Sequence, residues 1–212
     1  METPRSANLT DQGLYQPLPS QRAIRLLRFL PGPIPKCQMV TVEVEKAPPY
    51  VALSYTWGSK SRDERIEING IPIPITRNLF EAISGTFEST RTEHALFWAD
   101  SICINQADIQ ERGSQVRIMN TIYRSAEFVV VWLGLAEDGT KEVFDKMQNW
   151  HKTFEKHLRK HGTELALDKT AREDRQFFMV RSSRQMKLLR DFQDLFDRPW
   201  WRRAWIVQEA TL

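Results

Sequence analysis

The sequence predicts an α/β fold in which a mostly parallel sheet is flanked by helices, with an extra N-terminal β hairpin region and a helical insertion at about 135–199. Two observations lead to this prediction. The continuous apolar runs at 95–99 (ALFWA) and 128–133 (FVVVWL) are typical of strands buried on both faces of a parallel sheet. An amphipathic helical segment at about 110–126 lies between them, and a strand, a helix and a strand at this spacing form a βαβ unit.

The N-terminal part of the chain predicts further strands. Residues 1–20 are polar and contain prolines, which predicts a flexible N-terminal arm in front of a domain that spans 21–212. Residues 22–30 are strand-like, and residues 37–44 alternate between apolar and polar side chains with the period of a half-buried strand. The compact apolar segment at 50–55 follows as another strand.

A hairpin and a helix are predicted next. Asn69-Gly70 separates two isoleucine-rich runs, and this dipeptide is the strongest short-range signal for a β hairpin. Two prolines in the second arm (IPIPI) cannot donate backbone hydrogen bonds, which predicts a position at the sheet edge. Asn78 and Glu81 have the spacing of a capping box, which predicts the start of a helix.

The remaining helices follow from similar patterns. Asp108 and Glu111 resemble a second capping box, placed at the start of the amphipathic segment between the two apolar runs. Strand signals are nearly missing from the predicted insertion, which we interpret as two helices at about 139–161 and 173–196 joined by a polar stretch.

The composition excludes several classes of protein. The 212 residues are 41% hydrophobic and 27% charged with a net charge of +3, which is typical of a soluble globular protein. The charge is too small and too evenly mixed to indicate nucleic acid as a partner. No apolar run is long enough to span a bilayer, and the N-terminus lacks the apolar core of a signal peptide. We therefore expect a cytoplasmic protein without a membrane span or a nucleic-acid partner.

Common catalytic signatures do not occur in the sequence. It contains no dinucleotide-binding glycine motif, P-loop, zinc-protease motif or nucleophile elbow. The four histidines have no cluster of carboxylates or cysteines near them that would complete a metal site, and two cysteines cannot form a disulfide framework. We therefore expect a site with neither a metal nor a prosthetic group.

Polar segments follow three of the predicted strands, at 54–58, 100–106 and 135–139. Open parallel sheets bind ligands at the carboxyl ends of their strands, where such segments converge. The sequence therefore predicts a crevice at this edge of the sheet. The alternative for each segment is a purely structural role in shaping a turn or capping a helix.

The C-terminal segment contains a candidate acid. Trp201, Trp205 and Glu209 recur every four residues and would share one face of a helix. Glu209 would then lie beside the Trp205 indole, where partial desolvation raises the pKa of a carboxyl group. Such a carboxyl group can stabilise an oxocarbenium-like transition state. The alternative for a lone glutamate near a helix end is a position on the surface.

Three blocks of sequence resemble a known family. Ala52–Gly58 (ALSYTWG), Leu96–Gly134 and Trp200–Glu209 (WWRRAWIVQE) are similar to the signature blocks of the fungal heterokaryon incompatibility (HET) domain. The resemblance runs from about Ile24 to the C-terminus. It implies the role of an effector domain in fungal non-self recognition and programmed cell death, downstream of a protein sensor or partner.

The HET domain is itself similar to TIR domains, which implies a TIR/flavodoxin-like form of the predicted sheet. The strand that ends in Ser54-Tyr55 resembles the first TIR strand, and Trp205 and Glu209 have the W-x-x-x-E spacing of the motif whose glutamate is catalytic in NAD-cleaving members. Ile206 departs from that motif, which usually has cysteine there, and the helical insertion is a second departure.

Two functional hypotheses follow from the resemblance. The first is a TIR-like NAD hydrolase (NAD⁺ nucleosidase) that acts through Glu209 in a self-assembled homo-oligomer, with NAD as the substrate. The second is a non-enzymatic death-signalling module that uses the same fold for oligomerisation, with Trp200, Trp201 and the basic helices as contact points. In the first, the residues implied to bind the substrate are Tyr55, Trp57, Gly58, Asp100, Asn105, Arg112 and Trp205.

Overall fold

The computed structural model describes residues 13–30, 36–59, 61–90, 96–161, 163 and 183–203. The chain divides into two compact units, of which the first comprises Met1–Gly134 with Arg202–Leu212 and the second comprises Leu135–Trp201. No helix in the described part of the chain is long and apolar enough to cross a membrane.

Seven strands form one mixed sheet in the first unit, in the order β5-β4-β2-β1-β6-β3-β7. The strands are β1 (Ala23–Leu30), β2 (Lys36–Glu43), β3 (Tyr50–Tyr55), β4 (Glu64–Ile68), β5 (Ile71–Ile75), β6 (Leu96–Trp98) and β7 (Phe128–Trp132). The helices are α1 (Arg77–Thr90), α2 (Asp100–Cys103) and α3 (Ile109–Ser125) in the first unit, and α4 (Thr140–His161) and α5 (Ser183–Phe196) in the second.

The strand directions confirm the predicted α/β class. β6, β3 and β7 are parallel neighbours, as predicted. The expectation that the run at 128–133 is buried on both faces is wrong, because β7 is the last strand in the order, with Phe128 exposed and its other residues half-buried. The N-terminal strands extend this part of the sheet, because β1 pairs antiparallel with both β2 and β6. The extra N-terminal hairpin is therefore the pair β1–β2, and it connects the parallel strands to the β4–β5 hairpin through a parallel contact between β2 and β4.

The β4–β5 hairpin has the predicted turn and the predicted position at the sheet edge. Asn69 and Gly70 have φ values of 53° and 80°, as a two-residue hairpin turn requires. β5 is the last strand in the order, which explains how the sheet accepts Pro72 and Pro74. Four of the five alternate isoleucines are buried and fix the register, among them Ile66 opposite Ile73, while Ile71 is half-buried.

The start of α1 differs from the prediction. Thr76 is the capping residue, since its side-chain oxygen accepts from the Leu79 amide at 3.3 Å and its carbonyl accepts from the Phe80 amide at 3.0 Å. The capping box assigned to Asn78 and Glu81 is therefore wrong. The sequence offers two capping residues two positions apart, and the side chain of the second is used elsewhere.

Asn78 instead connects α1 to the ends of two strands. Its side-chain amide donates to the carbonyl oxygen of Thr56 at 2.6 Å, and its oxygen accepts from the indole N–H of Trp132 at 3.0 Å. Gly85 allows the same helix to approach Trp132, because a Cβ at this position would lie 2.9 Å from the ring. These contacts hold the ends of β3 and β7 in place beside α1.

Two helices of the second unit pack through aromatic side chains. Trp150 of α4 stacks on Phe192 of α5 with ring centroids 5.2 Å apart. Gly139 precedes α4 with a φ of 88°, and a Cβ there would lie 2.3 Å from the carboxylate of Asp191. This glycine therefore lets the start of α4 approach α5 closely. The segment predicted as a second helix begins at Ser183 in the described residues, and 164–182 lie outside them.

The cap at the start of α3 gives a stability prediction. The Asp108 carboxylate accepts from the amides of Gln110 and Glu111, at 2.9 and 3.0 Å. We expect Asp108→Ala to lower the free energy of unfolding by about 1 kcal/mol, because both amides lose their partner. Urea denaturation measures the change. Asp108→Asn is the matched control, since asparagine caps equally well, and an equal loss in both variants would contradict the role of the cap.

Candidate functional site

A cleft of about 440 Å³ lies at the carboxyl ends of β3 and β6. It is bounded by the segments that follow these two strands and by β5 with the start of α1. Its volume falls within the range of small-molecule sites, roughly 300–1,000 Å³. Four of the residues implied to bind a substrate line it, namely Tyr55, Trp57, Gly58 and Asn105.

Trp57 is the exposed aromatic side chain of the cleft. Its relative exposure is 47%, and its indole N–H donates to the Asp100 carboxylate at 3.0 Å. Gly58 follows with a φ of 66°, a conformation that side chains rarely adopt. A Cβ at Gly58 would also lie 3.4 Å from the side chain of Asn78. The backbone turn and the hydrogen bond therefore orient the indole at the end of β3.

Asp100 lies behind Trp57 and does not itself line the cleft. Its Oδ2 accepts from Trp57, while its Oδ1 is buried and has no hydrogen-bond partner among the described residues. Burial raises the pKa of this carboxyl group, and the Trp57 hydrogen bond and the positive charge of Arg203 oppose the rise. The Trp57 indole is thus hydrogen-bonded to a carboxylate whose charged form is disfavoured by burial.

Tyr55 forms the floor of the cleft. The residue is buried, with a relative exposure of 1%, and its hydroxyl donates to the Ser101 hydroxyl. Burial, followed by the negative charge of Asp100, raises the pKa of Tyr55 well above its usual value. The phenol is therefore protonated at neutral pH and joins the end of β3 to α2.

A buried ion pair supports the segment that follows β6. The Arg25 guanidinium on β1 donates to both carboxylate oxygens of Glu111, at 2.5 and 2.8 Å. The side chains are only 1% and 8% exposed. Arg25 also donates to the carbonyl oxygens of Gln16 and Cys103, and Glu111 accepts from the Asn105 amide at 2.7 Å. The Asp108–Glu111 box is thus only half formed, because Glu111 contacts Arg25 and Asn105.

The N-terminal segment contributes one wall of the cleft. Tyr15 lines it, donates from its hydroxyl to the Ile102 carbonyl at 2.8 Å, and places its ring 5.1 Å from the Arg25 guanidinium carbon. The neighbouring Leu14 is buried in the core. Leu14 and Tyr15, which belong to the predicted N-terminal arm (residues 1–20), therefore pack against the domain. Residues 1–12 lie outside the described residues.

Asn105 and Arg112 occupy different positions. Asn105 lines the cleft, and its side-chain oxygen accepts from the Ala107 amide at 3.1 Å, which tightens the turn. Arg112 is exposed on α3, with its guanidinium 3.5 Å from the Gln106 carbonyl, and is not among the lining residues. The structure thus brings Asn105 to the other cleft residues and leaves Arg112 apart from them.

Glu209 and Trp205 lie outside the described residues. The last described residue, Arg203, donates from its guanidinium to the Ser54 hydroxyl at 3.1 Å. Ser54 is fully buried near the carboxyl end of β3. Arg203, within the C-terminal block, therefore lies beside the strand end that carries Tyr55. The segment 135–139, the third predicted strand end, belongs to the second unit.

The two cysteines are buried thiols. Cys37 and Cys103 are free, and burial raises the pKa of each to about 12. Both are therefore protonated at neutral pH and are poor nucleophiles. Within the described ranges, no three histidine, cysteine, aspartate or glutamate residues are grouped so that they could hold a metal ion.

Sequence reasoning missed several residues of the cleft, among them Tyr15, Arg62 and Thr76. Arg62 belongs to the connection that follows β3, so the topological argument that found Trp57 could have included it. No pattern in the sequence indicated Tyr15, because its hydrogen-bond partner at the cleft, Ile102, lies 87 residues further along the chain. Thr76 enters the cleft because it, and not Asn78, caps α1.

The fold defines an α/β domain with a cleft at the carboxyl ends of two of its parallel strands. Residues 50–209 match the family described as "Heterokaryon incompatibility protein (HET)", and the chain belongs to this family. Heterokaryon incompatibility protein 6, OR allele, of Neurospora crassa is 32% identical over 198 residues, which cover 83% of this chain and 29% of the relative. The chain thus spans less than a third of that relative. No solved structure matches it.

The buried ion pair gives a prediction for the support of the cleft. Arg25→Met should lower the free energy of unfolding by about 3–5 kcal/mol, because it leaves the Glu111 carboxylate buried without a counter-charge. Urea denaturation measures the loss. Lys36→Met is the control, since Lys36 pairs with Glu67 on the surface and exposed pairs contribute less than about 1 kcal/mol. Equal losses in the two variants would show that the Arg25 pair is not buried in solution.

The raised pKa of Asp100 gives a pH prediction. The folded protein binds this proton more tightly than the unfolded chain, so stability falls as the pH rises above the ordinary value of about 4 towards the raised one. Asp100→Asn keeps an acceptor for Trp57 and removes this loss. We expect its stability relative to the native protein to increase across that window by less than about 1.4 kcal/mol per pH unit.

Denaturation of both proteins between pH 4 and 7 measures the difference. Asp145→Asn is the control for the loss of a carboxylate elsewhere, because Asp145 lies on α4 in a surface pair with Lys141. A difference between Asp100→Asn and the native protein that stays constant with pH would contradict the prediction.

Proposed function

We propose that this chain is the effector domain of a fungal heterokaryon incompatibility protein, and that it cleaves NAD between nicotinamide and ribose through Glu209. Membership of the HET family supports the first part, the role in incompatibility. The observation that carries the second part is the cleft at the ends of β3 and β6, with the exposed Trp57 at its rim. In this proposal the protein acts in the cytoplasm, downstream of a protein sensor.

The chain can bring the proposed acid to this edge of the sheet. Arg203 contacts Ser54 near the end of β3, and Glu209 is the sixth residue after Arg203. Six residues reach at most about 21 Å when fully extended and about 9 Å when helical. Both lengths are compatible with a carboxylate that acts on a ligand in the cleft.

The proposed reaction needs few catalytic groups. The bond between C1′ of the ribose and the nitrogen of nicotinamide breaks, and the electron pair leaves with the cationic ring as neutral nicotinamide. The Glu209 carboxylate would stabilise the oxocarbenium-like sugar. A water molecule then attacks C1′ and loses a proton, which gives ADP-ribose. Trp57 would stack on a ring of NAD, and Asn105 would contact its polar groups.

Self-assembly is part of the proposal. The resemblance to TIR domains implies that neighbouring copies complete the site, so a dilute monomer would have little activity. We expect the rate of nicotinamide release per molecule to rise steeply with protein concentration.

A nicotinamide-release assay with NAD tests the proposal directly. Glu209→Gln should reduce turnover by at least about 100-fold, the usual contribution of an essential acid or base. Glu67→Gln is the matched control, since Glu67 lies on β4 in a surface pair with Lys36, and it should retain turnover.

Two results would contradict the proposal. No release from a folded, concentrated and oligomeric sample would favour the non-enzymatic death-signalling module. That module would also need contact residues other than Trp200, whose relative exposure is 3%. Equal turnover in Glu209→Gln and the native protein would reject Glu209 as the catalytic carboxylate.

A further inference from the structure

The charge of the cleft is set by one residue. Arg62, in the connection between β3 and β4, is the single charged side chain among the described residues that line the cleft, and none of these residues is a carboxylate. The side chain is exposed. It has no ion-pair partner among the residues that the structure describes. The mouth of the cleft therefore carries a positive charge that no lining group neutralises.

The start of α1 adds to this positive charge. Thr76 lines the cleft and caps this 14-residue helix, so the positive end of the helix dipole lies at the cleft. The first turn of the helix contains no acidic residue that would compensate the dipole. Arg62 and the start of α1 come from different parts of the chain, and both favour a ligand with a negative charge.

Trp57 supplies a flat apolar surface in the same cleft. Its indole N–H is already bonded to Asp100, so the part of the side chain that remains for a ligand is the ring itself. Its relative exposure of 47% leaves room for a planar group. An aromatic surface and an unneutralised guanidinium group in one cleft match a ligand that has both a planar ring and a phosphate group.

We infer that the cleft binds nucleotides through their phosphate group at Arg62, with a base or nicotinamide ring on Trp57. The inference rests on the proposed function for the choice of a nucleotide, and it assigns the pyrophosphate of NAD to Arg62. Arg62 is then a binding residue that determines specificity for nucleotides over nucleosides. It is independent of Glu209, which would act on the ribose and not on the phosphate.

Calorimetric titration of the full chain with AMP and with adenosine tests the inference, because the two probes differ only by the phosphate group. AMP should bind at least about tenfold more tightly than adenosine, as expected for a charge-assisted contact. Arg62→Gln should remove this difference by weakening AMP and leaving adenosine unchanged, whereas Arg62→Lys should keep most of it. Added salt should weaken AMP alone.

The controls separate charge, stacking and catalysis. Arg117→Gln removes the same charge from the exposed face of α3, outside the cleft lining, and should leave both affinities unchanged. Trp57→Leu should weaken AMP and adenosine alike. Arg62 is exposed and makes no described contact that supports the fold, so Arg62→Gln should fold normally, which circular dichroism checks.

Each outcome decides the inference. Equal affinities for AMP and adenosine, equal losses in Arg62→Gln and Arg117→Gln, or no binding of either probe at millimolar concentration would overturn it. Glu209→Gln should bind AMP as tightly as the native protein. Arg62-dependent AMP binding without nicotinamide release would therefore reject the proposed reaction and retain the nucleotide site. If Arg62→Gln released nicotinamide at the same rate as the native protein, the proposed reaction would be retained and the assignment of the phosphate group to Arg62 would be rejected.

Discussion

The ion pair between Arg25 and Glu111 is the interaction on which the shape of the cleft depends. Arg25 lies in the middle of the sheet, where an unpaired guanidinium would be strongly unfavourable. Its two terminal nitrogens donate to both carboxylate oxygens of Glu111, to the Cys103 carbonyl and to the Gln16 carbonyl. One buried charge therefore joins β1 and the N-terminal segment to α2 and α3, whose contact residues lie 78 and 86 residues further along the chain. The N-terminal segment and the residues that follow β6 form walls of the cleft.

A second charged group connects the aromatic surface of the cleft to the C-terminal block. Asp100 accepts from Trp57 and lies in the electrostatic field of Arg203, which itself contacts Ser54. Its other oxygen is buried without a partner among the described residues. Burial of this carboxylate costs stability, and the arrangement keeps Trp57 in one orientation. The position of the indole is thus coupled to the start of the segment that contains Glu209.

The elements that the sequence predicted are those whose signals are local. β3 and β6 are buried along their whole length, which is why their sequences are strongly apolar. The apolar run of β7 identified it correctly as a strand, although β7 lies at the sheet edge and is only half-buried. The Asn69-Gly70 turn and the Asp108 cap depend on the chemistry of neighbouring residues. The burial of Arg25 could not be predicted, because its partner is 86 residues away.

The candidate site was predictable in part for the same reason. Strand ends attract ligands in parallel sheets, and this rule alone located Tyr55, Trp57 and Asn105 in one cleft. It did not locate Tyr15, which reaches the cleft through a long-range contact. Arg112 was implied by the resemblance, and α3 places it apart from the other residues. The assignments of Glu209 and Trp205 come from their four-residue spacing and from the resemblance, and they concern residues beyond the described range.

The prolines of β5 determine which backbone groups are exposed at this edge of the sheet. Successive amides of a strand point to opposite sides, and β5 pairs with β4 on one side only. Pro72 and Pro74 alternate with the isoleucines, so the side of β5 facing away from β4 presents carbonyl oxygens and no N–H donors over these residues. An incoming strand would leave its own carbonyl groups unsatisfied there. This edge of the sheet therefore disfavours the addition of a strand from another molecule.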